Sequence, residues 1–585
     1  MTRAYPAALQ MALFVTAALI AAPAPAGTAA TRSRQPVALA FRRDGSRLYV
    51  ANARSGTLSV VDPRTSSVVA EHDVGRGLAD LAPLAHGPRI LAVDRAGDAL
   101  LLLDVGGSSA HVVARLDVSP DPVRIVIAPD GSACAVASTD SRRLTFIEIK
   151  QVDGDVALTT TRALDLPFSP RLMVALGGWT KLVLTDAYGG KTAVVDLETF
   201  TTDSVHALPA HNIRGLVLAP DGQTLVLAHQ VLRRLARTSF EDVHWGSLLS
   251  NHLRVLKVDA VLTARSDADL LRGSRLLDLG NTGNGAGDPA AVAFDHQGGI
   301  AVALAGVDEV ALGRSPTARL HPVGVGRRPT ALAVQPNGSS LYVADTLDDT
   351  ISIIDLTTGL WRGKIALGPR PDPTLAERGE RLFSSARLSH DGWMSCQSCH
   401  TDGHTNGLLS DTLGDESYGA PKRVPSLLGV SATGPWAWNG SIERLEDQVR
   451  KSVETTMQGK TPSDEQVAAL TAYLRSLPPP RPLASLEHNE AASRGRALFE
   501  ARKCAECHAP PAYTAIGRYD VGLDDAVGNR RFNPPSLLGV GRREPYFHDG
   551  RAATLEDVFV KHRHPQDTEW TAEEATDLAG YLRTL

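Results

Sequence analysis

Between Pro36 and Leu367, short apolar stretches return about every 40–48 residues, each bracketed by turn residues. The clearest copies are Asp44-Gly-Ser-Arg-Leu-Tyr-Val-Ala-Asn52 with Leu58-Ser-Val-Val-Asp62, and Asn337-Gly-Ser-Ser-Leu-Tyr-Val-Ala-Asp345 with Ile351-Ser-Ile-Ile-Asp355. Weaker copies centre near Ile90, Cys134, Leu182, Leu225 and Ile300, which makes seven. A turn signal, an apolar strand, a polar turn and a second alternating strand describe a β-meander. One open meander cannot cover both of its faces, whereas seven in a ring bury them against their neighbours. The pattern therefore predicts an all-β, seven-bladed propeller over residues 36–367.

One interval is too long for a blade. Residues 231–287 include Phe240-Glu-Asp-Val-His-Trp-Gly246 and the glycine-rich run Gly280-Asn-Thr-Gly-Asn-Gly-Ala-Gly287. They are expected to project as a loop or helical insertion, either as surface decoration or in contact with the rest of the chain.

Beyond the proline-rich hinge Gly368-Pro-Arg-Pro-Asp-Pro373 a second repeat begins, displaced by about 110 residues. Arg378-Gly-Glu-Arg-Leu-Phe383 returns as Arg494-Gly-Arg-Ala-Leu-Phe499, Pro425-Ser-Leu-Leu-Gly-Val430 as Pro535-Ser-Leu-Leu-Gly-Val540, and Tyr473-Leu-Arg-Ser-Leu477 as Tyr581-Leu-Arg-Thr-Leu585. Each copy carries Cys-x-x-Cys-His: Cys396, Cys399 and His400 in the first, Cys504, Cys507 and His508 in the second. At this spacing two thioethers hold the edge of a haem while the adjoining His ligates its iron. Four thiolates could instead make one zinc site. That would require the two motifs to meet across more than a hundred residues, and it leaves both His unexplained. Two all-α cytochrome c-like domains are expected, at 374–477 and 489–585, separated by Pro478-Pro-Pro-Arg-Pro482 and carrying two covalent haem c groups.

Charge changes the picture little. In 585 residues, 60 basic side chains face 65 acidic ones, a balance with no field suited to nucleic acid. The N-terminus matters more. Arg3, an apolar run from about Ala7 to Ala22, and the small residues Ala24-Pro-Ala26 and Thr28-Ala-Ala30 read as a cleaved signal peptide over 1–30. The run falls short of the roughly 20 residues a membrane span needs, so a periplasmic or secreted protein without a span is expected, with an uncleaved anchor as the alternative. Cys134, the one cysteine outside the motifs, reads as a buried small hydrophobe.

The first segment resembles the YVTN-type propellers of exported bacterial proteins. Residues 374–585 resemble the bacterial di-haem cytochrome c peroxidase family, which includes the enzyme that matures methylamine dehydrogenase. The resemblance rests on Leu388-Ser389 with Ser395-Cys-Gln-Ser-Cys-His400, on Pro545-Tyr-Phe-His-Asp-Gly-Arg551 and on Thr554-Leu-Glu556. It implies a first haem that meets hydrogen peroxide and a second that relays electrons. Trp438, in Trp438-Asn-Gly440, takes the place of the family's inter-haem Trp, and Gln448 and Glu454 match its distal Gln and Glu, the latter at a shortened interval. Ser452 aligns with His562, where the family usually has Met, so His562 is the expected distal ligand of the second iron, with His564 and His548 as fallbacks. Met457 and His404 are candidates to cap the first. The family often binds Ca2+ between its haem domains, but no run of ligands here is specific enough to place it.

The reading that follows is an exported oxidoreductase that reduces peroxide with electrons from a small cytochrome or cupredoxin, or uses it to oxidise a partner protein. The alternatives are a plain electron carrier with both irons six-coordinate, and a propeller-based partner-binding redox module.

Overall fold

A computed structural model describes residues 32–585 apart from 86, 107–108, 153–154, 488 and 567. The expected signal peptide lies outside the described residues. Seven four-stranded antiparallel sheets, each with its strands in sequence order, form the N-terminal two thirds. They span residues 36–73, 78–117, 122–165, 170–207, 211–278, 289–324 and 329–366. The seven apolar centres read from the sequence are the second strands of the seven blades, for example Leu48–Asn52 and Ser340–Asp345, each buried at every position. Outermost strands alternate instead, as in Thr201–Ala207, because one face meets water.

The turn signals have a physical basis. Asp44 Oδ1 accepts from the Ser46 amide at 2.9 Å, and Asn337 Oδ1 from the Ser339 amide at 3.0 Å. Gly45 and Gly338 take the left-handed backbone between them, at φ 70° and 74°. The first strand of each blade packs on the first strand of the next, and Pro36–Phe41 meets Pro329–Val334 to close the ring. The Arg34 and Gln35 amides pin this seam by donating to the Asp349 carboxylate, both at 2.9 Å.

The long interval is not one excursion. Leu249–Lys257 and Arg275–Asp278 inside it are the outer two strands of blade five. The extra residues are spread over three loops, one carrying the helix Phe240–His244 and another the helices Val258–Thr263 and Asp267–Leu271. A strand whose exit and entry loops are both long loses the regular spacing by which the others were found. Blade five does touch the following region: Asn251 Nδ2, on its third strand, donates to the Trp393 carbonyl at 2.9 Å, and the amide of Gly285, in a loop, to the Asp391 carbonyl at 2.7 Å.

Residues 374–585 form two helical units. In the first, Leu375–Phe383 crosses Asp464–Ser476; in the second, Glu490–Ala501 crosses Ala572–Leu582. The repeated Arg-Gly now explains itself. A Cβ on Gly379 would fall inside contact distance of the Ala469 carbonyl oxygen, and one on Gly495 inside that of Asp577. Only glycine lets the helix axes come this close. Among the described residues no helix is long and apolar enough to cross a membrane.

The first unit sits on the propeller through the segment that carries its Cys-x-x-Cys-His motif. Asp402 pairs with Arg171 and with Arg214, the latter at 2.5 Å. His211 Nε2 donates to the Ser398 carbonyl at 3.0 Å. The Asp288 carboxylate accepts from the hydroxyls of Ser395 and Ser398. The propeller thus braces the start, the middle and the exit of the motif.

Candidate haem sites

Ser395 opens the short helix Cys396–Cys399 with a reciprocal cap from Ser398, which presents both thiols to one side. Burial pushes both thiols up to about 12. The one group of His, Cys, Asp and Glu side chains that converges tightly enough for a metal, among the described residues, contains no cysteine. The single-zinc alternative therefore has no support in the fold.

Both thiols and His400 face a cavity of about 300 Å³. Burial pulls His400 down to about 4, and its Nδ1–H donates to the Pro425 carbonyl at 2.9 Å. This leaves a neutral ring with an unprotonated Nε2, the form that binds iron. Arg423 and Arg543 also line the cavity. Burial lowers them to about 10 and about 9, and Arg423 Nη1 and Arg543 Nε have no partner. An apolar cavity with a tethering edge, an imidazole and two unneutralised guanidiniums fits a haem with its anionic propionates.

The wall beyond comes from the helix Leu445–Lys451 and the widened turn Ser452–Thr456 that continues it. Gln448, Ser452, Val453 and Met457 line the cavity. Gln448 Nε2 donates to Ser452 Oγ at 3.1 Å, while its Oε1 is buried without a partner. Glu454 is not among the lining residues. Met457 also packs with Met394, Trp393, Val243 and Leu248 in an apolar cluster reaching into the propeller. His404 is fully engaged elsewhere, its Nδ1 on Ser426 Oγ at 2.8 Å and its Nε2 on the Arg542 carbonyl at 3.1 Å.

In the second unit, burial likewise lowers His508, whose Nδ1–H donates to the Tyr513 carbonyl at 3.3 Å. Two imidazoles flank Phe547: His562 at 5.5 Å and His564 at 5.7 Å between ring centroids. They differ in setting. Burial, with a smaller contribution from His508, pulls His564 down to about 4, and its Nδ1 is buried without a partner. His548 lies elsewhere, stacked on Phe532 at 4.1 Å.

Between the units the duplication becomes geometry. The Arg423 amide donates to the His548 carbonyl at 2.6 Å, and the Asn533 amide to the Trp438 carbonyl at 2.9 Å. Position 423 corresponds to 533, and 438 to 548, so this exchange is reciprocal, as across an approximate two-fold axis. Trp438 and His548 meet there, 6.4 Å apart and steeply inclined. Trp438 lines the first cavity and its Nε1 donates to the Arg423 carbonyl at 2.8 Å. Nearby, the Lys422 ammonium lies 2.8 Å from both Asp415 and Asp525, and a Ca2+ at these carboxylates would have to displace it. Sequence reasoning passed over Arg423, Arg543, Asp288 and Asp402; the pairing of Arg423 with Asn533 was available from the Pro425/Pro535 alignment.

Two duplicated helical units, each with a Cys-x-x-Cys-His motif and a neutral imidazole, make this a c-type cytochrome region of the oxidoreductase class. Comparison narrows the class. The family model for di-haem cytochrome c peroxidase matches residues 373–478. The chain is 27% identical to methylamine utilization protein MauG of Methylorubrum extorquens, over 37% of this chain and 80% of that protein. It is 25% identical to cytochrome c551 peroxidase of Nitrosomonas europaea, over 36% of this chain and 79% of that one. Hydrazine synthase subunit gamma of Kuenenia stuttgartiensis is 28% identical over 36% and 77%. By these comparisons the cytochrome region resembles the MauG-like di-haem peroxidases, and here it follows a seven-bladed propeller.

Proposed function

We propose that the protein is an exported di-haem peroxidase, periplasmic or secreted. The first haem unit admits hydrogen peroxide, and the second relays electrons to it from a small donor cytochrome or cupredoxin, or from a partner protein that is itself oxidised. One observation carries this reading: the two distal walls differ. The first offers Gln448, Ser452 and Met457, and the one imidazole in its cavity's lining is His400 of the motif itself, whereas the second unit holds two imidazoles beside Phe547. An open or weakly capped iron can take a substrate, and a bis-His iron is suited to electron transfer.

When bound, the haems supply the redox-active irons, tethered by Cys396 and Cys399 or Cys504 and Cys507 and ligated by His400 or His508. Gln448, its Oε1 unpartnered, would orient peroxide from the distal wall together with Ser452. Glu454 would have to swing inward to carry a proton, so Gln448 is the stronger candidate for the distal group. Trp438, at the axis between the units, would couple them. His564 suits the second distal position better than His562, because its buried ring has an unpartnered nitrogen and lies near enough to His508 to interact with it. The electron-carrier alternative draws on Met457, which is buried at the first cavity and could cap its iron.

Rapid mixing of peroxide with the half-reduced protein decides between them. The peroxidase reading expects prompt oxidation of the first haem, and His564→Ala should turn the second haem from low to high spin while both stay attached. Two low-spin haems in every oxidation state, unreactive to peroxide even in Met457→Ala, would leave only the carrier. Loss of the second low-spin signal in His562→Ala instead would restore His562 as the ligand.

A further inference from the structure

One convergent group of side chains lies apart from both haem sites. His244 Nδ1, His390 Nε2 and Asp391 Oδ2 stand at the corners of a triangle with edges of 2.9, 3.0 and 3.4 Å. His244 ends the short helix Phe240–His244 in a loop of blade five, whereas His390 and Asp391 precede the first Cys-x-x-Cys-His motif. Hydrogen bonding does not account for the triangle. A ring nitrogen has a single in-plane direction for its proton or lone pair, so it cannot serve two partners at once. Only the His244–His390 edge has hydrogen-bond alignment, which leaves the Asp391 carboxylate in contact with an imidazole for no internal reason. A cation about 2.0–2.2 Å from three donors, at tetrahedral or octahedral angles, would space them about 2.8–3.6 Å apart, a range that holds all three edges.

The surroundings hold these donors in place. The Asp391 backbone is left-handed, at φ 55°, and its carboxylate accepts from the Gly283 amide at 3.0 Å. The His390 amide donates to the Met457 carbonyl at 3.0 Å, and Trp393 Nε1 to the His244 carbonyl at 3.2 Å. Phe240 stacks on the His244 ring, with centroids 5.5 Å apart. The three side chains are 28%, 27% and 18% exposed, which gives a cation a way in and room for water to complete its shell.

We propose that His244, His390 and Asp391 bind one divalent cation of the zinc class. Two imidazoles and a carboxylate are the donor set that such ions favour. Because the ligands come from the propeller and from the first cytochrome unit, the ion staples one to the other next to the segment that carries Met457.

The test uses the haem-loaded full chain, stripped with EDTA and titrated with ZnCl2 in a calorimeter, with zinc counted against iron by mass spectrometry. The expected result is one zinc per chain, and a melting temperature that rises on zinc addition because the ion binds only the folded state. His244→Ala and Asp391→Asn should each weaken binding by more than the roughly 10–100-fold that loss of a merely supporting contact costs. Asn tolerates the left-handed backbone at 391, so the second variant stays informative if the first fails to fold. Equal zinc uptake by wild type and Asp391→Asn, or no uptake by the wild type, overturns the proposal and leaves a metal-free polar cluster.

Discussion

Asp402 offers the sharpest test of how the cytochrome units are seated. It lies two residues beyond His400 and pairs with Arg171 and Arg214 of the propeller. Burial alone would raise its pKa, yet these two guanidiniums and Arg95 hold it well below the usual carboxylate range. The side chains are 25%, 16% and 15% exposed, so the triad is largely withdrawn from water. Asp402→Asn keeps the shape and tolerates the left-handed backbone found there, at φ 53°. It removes the charge and leaves two cations unneutralised. Breaking a buried pair costs about 3–5 kcal/mol, and partial exposure puts this case near 3. That corresponds to roughly a 100-fold shift of the docking equilibrium. The hinge reports docking, because Arg34 holds the Pro369 carbonyl at 2.8 Å in the closed form. Protease cleavage within residues 368–373 should therefore quicken by about two orders of magnitude, provided opening is fast relative to cutting. Adding Arg214→Met should recover part of the loss by removing one orphaned cation. A cleavage rate within threefold of wild type would show that the ion pairs do not hold the units together.

Two further predictions concern the folds themselves. Burial raises Asp345 from 3.8 to about 7, although Thr350, Ser352 and the Gly326 amide all donate to it. A raised carboxylate means that the fold favours the protonated form, so its contribution is full below pH 3.8 and is lost as pH climbs through 7. Between pH 5 and 8 the loss amounts to about 2–3 kcal/mol. Asp345→Asn should remove that slope and raise the melting temperature at pH 8, since Asn52 fills the corresponding place in blade one with hydrogen bonds to Thr57 and Ser59; an unchanged pH profile would count against it. Gly379→Ala should force the helices Leu375–Phe383 and Asp464–Ser476 apart, at a cost of about 1–3 kcal/mol in thermal unfolding, and Gly495→Ala should do the same in the second unit; neutral outcomes would mean that these crossings are loose.

What the sequence disclosed follows from the range of the interactions involved. The seven blades were legible because each repeats a local device, a capped turn followed by a strand buried on both faces, and local devices leave periodic traces. Blade five is harder to read: long loops on either side of its outer strands remove the spacing, although Leu253-Arg-Val-Leu256 carries a strand-like pattern. The haem motifs were legible because covalent attachment requires fixed residues at fixed spacing. The distal groups were not, since their roles depend on which way a helix faces after packing. Alignment places Glu454 two residues beyond Ser452 and His564 two beyond His562, yet the first is not among the residues lining its unit's cavity, while the second has a buried ring nitrogen without a partner. The same logic applies to the braces. Asp288 and Asp402 look like ordinary loop acids until the propeller face brings Ser395, Ser398, Arg171 and Arg214 against them. A cytochrome motif held by a propeller at three points is no longer an independent module, and substitutions in blades four to six should therefore be felt at the first haem before they are felt at the second.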